Sequence, residues 1–350
     1  MKSQFKFIGL TALLTLVPLA VLWAVFYATD PLHIIRPVDK EIEYPYFGNK
    51  GTVTVRNFER LMPEKCFDSF IFGSSLTIST DLSAWNSYLP ESSVPYHFDA
   101  SAMSIKQMRE YMEYLAARAP LRNVYIIIDL DVIGITKGYQ RSLFYTSPVV
   151  KNDLLYNFNT YFSVWQRAIS ASFLLNNVPI AIFRNRMDPA NINPCASTDI
   201  RLYLPDTNTE INVNHTPEYE DIATRWCGSA KDSLKMYPPY YAESSINDDK
   251  KGDLRRIAEI LDSAGCNYRF ALITSPKREK DRPPLLNPAD SAAMREIFGD
   301  HFVSAQWATL EWSFKPHATY DGYHFTSPEA LRLLEFVYND SLRQSHPGRL

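Results

Sequence analysis

Apolar positions along this chain fall into two spacings, one for strands and one for helices. Phe67 to Phe72 is a short apolar and aromatic run closed by Gly73, the pattern of a buried strand ended by a turn. Val94 to Phe98 predicts a second strand. Asn123 to Leu130 is apolar at nearly every position, as expected of a strand covered on both faces of a parallel sheet. Tyr268 to Thr274 repeats that pattern, and His301 to Gln306 predicts a short final strand. Between these runs the spacing becomes helical. Ser104 to Arg118 puts Ile105, Met108, Tyr111, Met112 and Leu115 on one face, with Ser104 as N-cap and Gln107 completing a capping box. Gly252 to Ala264 carries the stripe Leu254, Ile257, Ile260 and Leu261, and Asp248 to Lys251 reads as its solvated start. Val53 to Met62, Pro288 to Phe298 and Ser327 to Arg343 predict further helices, the last with Ser327 as N-cap and Pro328 in its first turn.

Strands alternating with helices indicate an α/β domain with a mainly parallel sheet. Its two halves, 53–134 and 248–350, are separated by an insertion, 135–247. The insertion reads as a mostly helical cap, with helices over Leu154 to Asn177 and Glu218 to Lys235 around a polar stretch from Asp188 to Pro217. Residues 29–52 read as a juxtamembrane linker.

The N-terminus follows neither spacing. Phe7 to Ala28 is almost wholly apolar, with Lys2 and Lys6 before it and Asp30 after it. About 20 apolar residues span a bilayer as a helix. A cleaved signal peptide has a shorter apolar core and a small-x-small cleavage site, whereas Ala28 here has Phe26 two places before it. The pattern favours an uncleaved anchor over 1–28. The lysines place its N-terminus in the cytoplasm and the globular part outside, in a periplasm or on a cell surface.

Composition adds exclusions. The net charge of -3 gives no reason to expect nucleic-acid binding. Cys66, Cys195, Cys227 and Cys266 form no CxxC pair, which argues against a zinc site, and no motif calls for a metal or another cofactor. Outside the cytoplasm a Cys195–Cys227 disulfide is allowed, and Cys66 and Cys266 read as a second pair or as buried free thiols. The aromatic residues Tyr161, Trp165, Tyr237, Tyr240 and Tyr241 of the insertion are either core or platforms for sugar rings.

Candidate chemistry lies in two short blocks. Phe72-Gly73-Ser74-Ser75-Leu76-Thr77 follows the first strand, and Asp321-Gly322-Tyr323-His324-Phe325 precedes the last helix. A serine hydroxyl becomes a useful nucleophile when a base takes its proton and a carboxylate orients that base. In an open parallel sheet such groups gather beyond the C-terminal strand ends. Asp129 and Asp131 end the 123–130 strand on that same edge. Ser75 is the candidate nucleophile, Ser74 its rival, His324 the base and Asp321 the orienting acid. Ser74 and Asp131 are also candidates for substrate binding, with capping of the following segment the alternative for Asp131.

FGSSLT resembles the FGDSLT block of the SGNH, or GDSL, hydrolase superfamily, with Ser74 at the usual Asp position. DGYHF is similar to that family's final Asp-x-x-His block. The resemblance covers about 53–131 and 249–345 and leaves out the insertion. It implies a three-layer, mainly parallel, flavodoxin-like sheet, with Ser75, His324 and Asp321 as a catalytic triad. It also implies an oxyanion hole built from the backbone N–H groups of Ser75 and Ala102. Two positions depart from the family pattern: Ala102 stands where a Gly is usual, and Ile128-Asp129-Leu130-Asp131 lacks the usual Asn donor. Losing one such donor typically costs about 100- to 1,000-fold in rate.

With its N-terminal segment, the chain resembles the membrane-anchored branch of that superfamily. This branch includes the teichoic-acid D-alanyl transfer protein and the alginate and cell-wall O-acetylation proteins. The resemblance implies a serine-dependent O-acyl (acetyl) transferase or esterase acting on an envelope polysaccharide, with a multi-spanning membrane acyltransferase as possible partner. The altered second and third blocks leave open a catalytically silent scaffold or polysaccharide-binding protein of the same fold.

Overall fold

The computed structural model describes residues 2–30, 36–43, 49–134, 201–212, 240–242, 246–274, 284–313, 324–325 and 327–344, with His33, Phe47 and Val149 besides. Helix α1 spans Lys2–Thr29, so the predicted apolar segment is one helix of 28 residues, with Pro18 inside it. At the usual helical rise it is about 42 Å long. The side chains at 19, 22, 23, 25 and 26 lie outside the description. Among the described residues, no helix is long and apolar enough to cross a membrane. The expected membrane-spanning anchor is therefore not supported by the structure.

The sheet is built from strands β2 (Ser69–Gly73), β3 (Pro95–Asp99), β4 (Asn123–Ile128), β8 (Asn267–Leu272) and β10 (Phe302–Ser304). Every pairing among them is parallel, in the order β10-β8-β4-β2-β3. Renumbered along the chain this is the 2-1-3-4-5 order of doubly wound sheets. The predicted strands thus hold to within a few residues. The predicted β/α alternation also holds, as helices α2 (Lys50–Lys65), α4 (Ile105–Ala116), α6 (Asp248–Ser263), α7 (Pro288–Phe298) and α9 (Ser327–Tyr338).

The pleat sorts the core into two faces, because alternate side chains of a strand point opposite ways. Phe70 and Phe72 of β2 and Tyr96 and Phe98 of β3 belong to one face, where Phe58 of α2 meets Phe70, Tyr96 and Phe98, and Tyr111 of α4 meets Phe98. On the other face Tyr125 of β4 lies between Trp85, from the short helix α3 (Leu82–Asn86), and Tyr338. The Trp85 indole N–H donates to the Tyr338 hydroxyl at 2.8 Å, so this large buried ring leaves no stranded donor. The result is helices on both faces of a parallel sheet.

Local chemistry sets the helix ends. Ser104 and Gln107 form the predicted capping box of α4. Asn247 caps α6 by accepting from the Lys250 N–H, as the charged start at Asp248 suggests. The closing helix is shorter than predicted: α9 stops at Tyr338 and α10 (Asp340–Gln344) follows. Asn339 breaks the run because its side chain accepts from the Ser341 and Leu342 N–H groups, capping a new helix instead of continuing the old one. Among the described residues, three further short α-helices went unpredicted: α3, α5 (Leu130–Gly134) and α8 (Gln306–Ser313).

The insertion holds a β-hairpin within its polar stretch: β5 (Arg201–Leu204) and β6 (Thr209–Asn212). β5 also pairs with β1 (Ile42–Glu43) from the linker, so residues of the expected linker belong to a second, antiparallel sheet. A third, two-stranded sheet pairs β7 (Tyr240–Tyr241) with β9 (Pro284–Leu285). The predicted helices over 154–177 and 218–235 lie outside the described residues. So do Cys195, Cys227, Tyr161, Trp165 and Tyr237. Cys66 and Cys266 are both free, the first exposed and the second buried. Burial, with Asp262 adding to it, pushes the Cys266 thiol up to about 12.

Candidate active site

β2 ends at Gly73, and the chain turns at once into a short 3-10 helix, Ser75–Thr77. The turn is tight enough to require glycine. A Cβ on Gly73 would lie 2.7 Å from the Ile127 carbonyl oxygen of neighbouring β4 and 2.7 Å from Thr77 Cγ2. Ser74, buried, caps the turn: its Oγ accepts from the Leu76 N–H, and its carbonyl accepts from both the Thr77 N–H and the Thr77 hydroxyl. Ser75 is the first residue of the turn and half-buried. It follows the first strand of a 2-1-3-4-5 sheet, at the C-terminal edge where the chain reverses direction across the sheet.

The Ser75 hydroxyl lies 2.8 Å from His324 Nε2, across 249 residues of sequence. His324 is half-buried, and the next residue, Phe325, is in the core. The loop carrying the histidine is fixed by a second contact, since the Ser79 hydroxyl donates to the Phe325 carbonyl oxygen at 2.6 Å. The two predicted blocks therefore meet, with Ser75 and not Ser74 facing the imidazole. When Nε2 accepts the serine proton, Nδ1 carries the ring's own hydrogen. Asp321, expected to receive it, lies outside the described residues.

The expected oxyanion donors are both on the same sheet edge. Ala102 has φ +50, the left-handed conformation that costs an alanine about 1–2 kcal/mol and a glycine nothing. The chain thus keeps a glycine-like backbone without the glycine. Among the described residues neither the Ser75 nor the Ala102 backbone N–H has an acceptor.

The missing third-block donor is accounted for locally. Asp129 is buried, and its carboxylate accepts from the Val132 N–H at 2.8 Å, capping α5. Asp129 caps α5 in this way, and Asp131 sits half-buried in the first turn of the same helix. No group of three or more His, Cys, Asp or Glu side chains able to hold a metal occurs among the described residues.

Beside the site runs a buried polar network that sequence reading missed. His97 of β3 donates from Nε2 to Thr77 Oγ1 at 2.8 Å, which leaves Nδ1 buried and without a partner. Burial, reinforced by the Lys50 charge, pushes the imidazole down to about 3. Asp99, at the end of β3, is pushed up to about 6 by burial, with Glu210 adding to the effect and Lys50 opposing it. Lys50 Nζ stands 2.9 Å from Glu210 and 3.6 Å from Asp99. Burial alone would lower its ammonium, but the two carboxylates outweigh burial and hold it above the ordinary lysine range. These residues come from α2, β3 and the insertion hairpin, and no local motif marks them. His301, by contrast, stacks on Tyr268 with ring centroids 3.9 Å apart, and its Nδ1 lies 3.0 Å from the Tyr268 carbonyl.

Comparison with known proteins gives no family. No family model and no curated protein matches this chain.

Proposed function

We propose that this chain is an SGNH-like, serine-dependent O-acyl (acetyl) transferase or esterase, working outside the membrane on an envelope polysaccharide. The observation that carries the reading is the 2.8 Å contact of Ser75 Oγ with His324 Nε2. The Ser75 oxygen attacks the ester carbonyl while His324 Nε2 takes its proton, and Asp321 orients the ring. The tetrahedral oxyanion is held by the Ser75 and Ala102 N–H groups. Its collapse releases the alcohol, which receives the proton from His324, and leaves the acyl group on Ser75. His324 then deprotonates water or a sugar hydroxyl, and attack by that oxygen frees Ser75. Membrane attachment through α1 is part of the proposal. Its support is that large apolar side chains lie exposed along α1, from Phe5 at 68% through Leu14 at 66% to Val21 at 56%. A multi-spanning acyltransferase that brings the acyl group across the bilayer is the partner proposed for the transferase outcome.

The test is hydrolysis of a chromogenic acetyl ester by the full chain, with and without Ser75→Ala. The reading expects Ser75-dependent turnover, and equal rates in both proteins reject it. A silent scaffold of the same fold is favoured by one observation: the buried Asp129 carboxylate, which accepts the Val132 N–H, lies in the block where the family pattern has an Asn donor. The scaffold predicts no Ser75-dependent turnover with any ester, together with retained binding of polysaccharide.

A further inference from the structure

The hairpin of the insertion ends in a residue whose burial its position does not require. Turn residues normally face water. Asn208, in the β5–β6 turn, is fully buried, with φ +56. Left-handed backbone suits asparagine, but that alone does not call for burying the amide.

The amide is used in full. Its two N–H groups are shared among three acceptors: the His97 carbonyl at 2.5 Å, Thr54 Oγ1 at 2.9 Å and Asp99 Oδ1 at 3.1 Å. Its oxygen accepts from the Tyr203 hydroxyl at 2.7 Å. Tyr203 accepts in turn from Asn57 Nδ2, and Asn57 Oδ1 accepts from the Val38 N–H. The Thr54 hydroxyl donates to the Asp99 carbonyl at 2.7 Å. Thr207 of the same turn accepts the His97 N–H at 3.0 Å, so the hairpin tip covers the open edge of β3, the last strand of the sheet. Glu210 adds a charged tie through Lys50 to Asp99.

All these ties converge on the last residues of β3. The chain leaves Asp99 as Ala100, whose N–H donates to the Gly73 carbonyl at 3.2 Å, and reaches the left-handed Ala102 two residues later. A non-glycine residue keeps such a conformation when its surroundings over-determine it. We infer that Asn208 is a positioning residue: through Thr54, His97 and Asp99 it sets the 100–103 loop so that the Ala102 N–H faces the oxyanion formed at Ser75. This deepens the acyl-transfer reading and rests on it. The insertion then serves the site through its hairpin, by bracing the oxyanion side from behind.

The experiment compares the full chain with Asn208→Gly, which keeps the backbone conformation and removes the amide. Thr54→Val serves as a second, near-isosteric break in the same network. Four quantities are read: kcat and KM on a chromogenic acetyl ester, the affinity of an arylboronic acid that forms a tetrahedral adduct on serine, and deuterium uptake by the 99–104 segment. The expected result is a kcat lower by about 10- to 100-fold with KM within about twofold. Boronate affinity should weaken by a similar factor, and uptake should rise. Folded variants with wild-type kcat and boronate affinity overturn the inference. If Ser75→Ala is as active as the wild type, the acyl-transfer reading itself falls. In that case raised uptake supports the hold of the hairpin on the loop, and unchanged uptake removes it.

Discussion

The Ser79 hydroxyl donates to the Phe325 carbonyl oxygen at 2.6 Å, one residue beyond the imidazole that meets Ser75. Among the described residues, the turn after β2 and the His324–Phe325 pair are therefore joined at two points, one at the imidazole and one at the backbone. Removing the backbone tie with Ser79→Ala takes the Ser79 donor from the Phe325 carbonyl and loosens the hold on His324. We expect kcat to fall by about 10-fold or more. A kcat identical to wild type would show that the second tie has no bearing on His324.

His324→Gln should lower ester turnover by about 1,000-fold or more, because the amide cannot take the Ser75 proton. Its fold should persist, since the ring is half-buried and the neighbouring Phe325 supplies the core contact. Circular dichroism together with turnover checks this. Activity at the wild-type level would remove His324 from the mechanism.

Gly73→Ala should be costly. The new Cβ would meet the Ile127 carbonyl oxygen and Thr77 Cγ2, both at 2.7 Å, and the first is backbone in a central strand. Overpacking of this kind typically costs about 1–3 kcal/mol. Urea unfolding measures it, and a midpoint equal to wild type would mean that the β2–β4 edge yields easily.

Ala102→Gly should stabilise slightly. It relieves a left-handed alanine, worth about 1–2 kcal/mol, against a glycine entropy cost of about 0.5–1 kcal/mol. Activity should hold, because the backbone N–H remains. Ala102→Val should lose both stability and turnover, since a β-branched residue fits φ +50 worse still. Denaturant midpoints and turnover of the pair check this, and the reverse stability order would sink it.

His97 and Asp99 pull stability in opposite directions with pH. His97 is pushed down to about 3 from 6.5, so the unfolded chain takes a proton that the fold refuses. Its contribution is present above about 6.5 and is lost as pH falls toward 3. Asp99 is pushed up to about 6 from 3.8, so its contribution is present below about 3.8 and is lost as pH rises through 6. Between about 4 and 6 the two slopes offset each other. Asp99→Asn should uncover the His97 slope there, about 1.4 kcal/mol per pH unit. Unfolding free energies of the variant and wild type across that range test it, and parallel curves would contradict the pairing.

The strands were legible because a sheet covered on both faces demands nearly continuous apolar runs, as at Asn123–Ile128 and Ser69–Gly73. The helix start at Ser104 belongs with these, since its capping box is local chemistry, whereas the cap at Asn247 went unpredicted. The pairing of the FGSSLT and DGYHF blocks was legible too, because strand order alone brings loops at one sheet edge together. The hairpin at 201–212 escaped notice because its strands are only four residues long: the apolar run Leu202-Tyr203-Leu204 is too short to announce a strand, and Thr209–Asn212 is mostly polar.

The sequence by itself determined the α/β class, the strand positions and the two residue types that meet at the site, since each follows from spacing or from neighbours in the chain. Tertiary structure decided which serine faces the histidine. Ser74 is consumed by capping the turn, and that leaves Ser75 at 2.8 Å from Nε2. It also decided that Asn208, Lys50, Thr54, His97 and Asp99 form one buried network. Their contacts cross from 20 to more than 150 residues of sequence, and burial makes each depend on the others being in place.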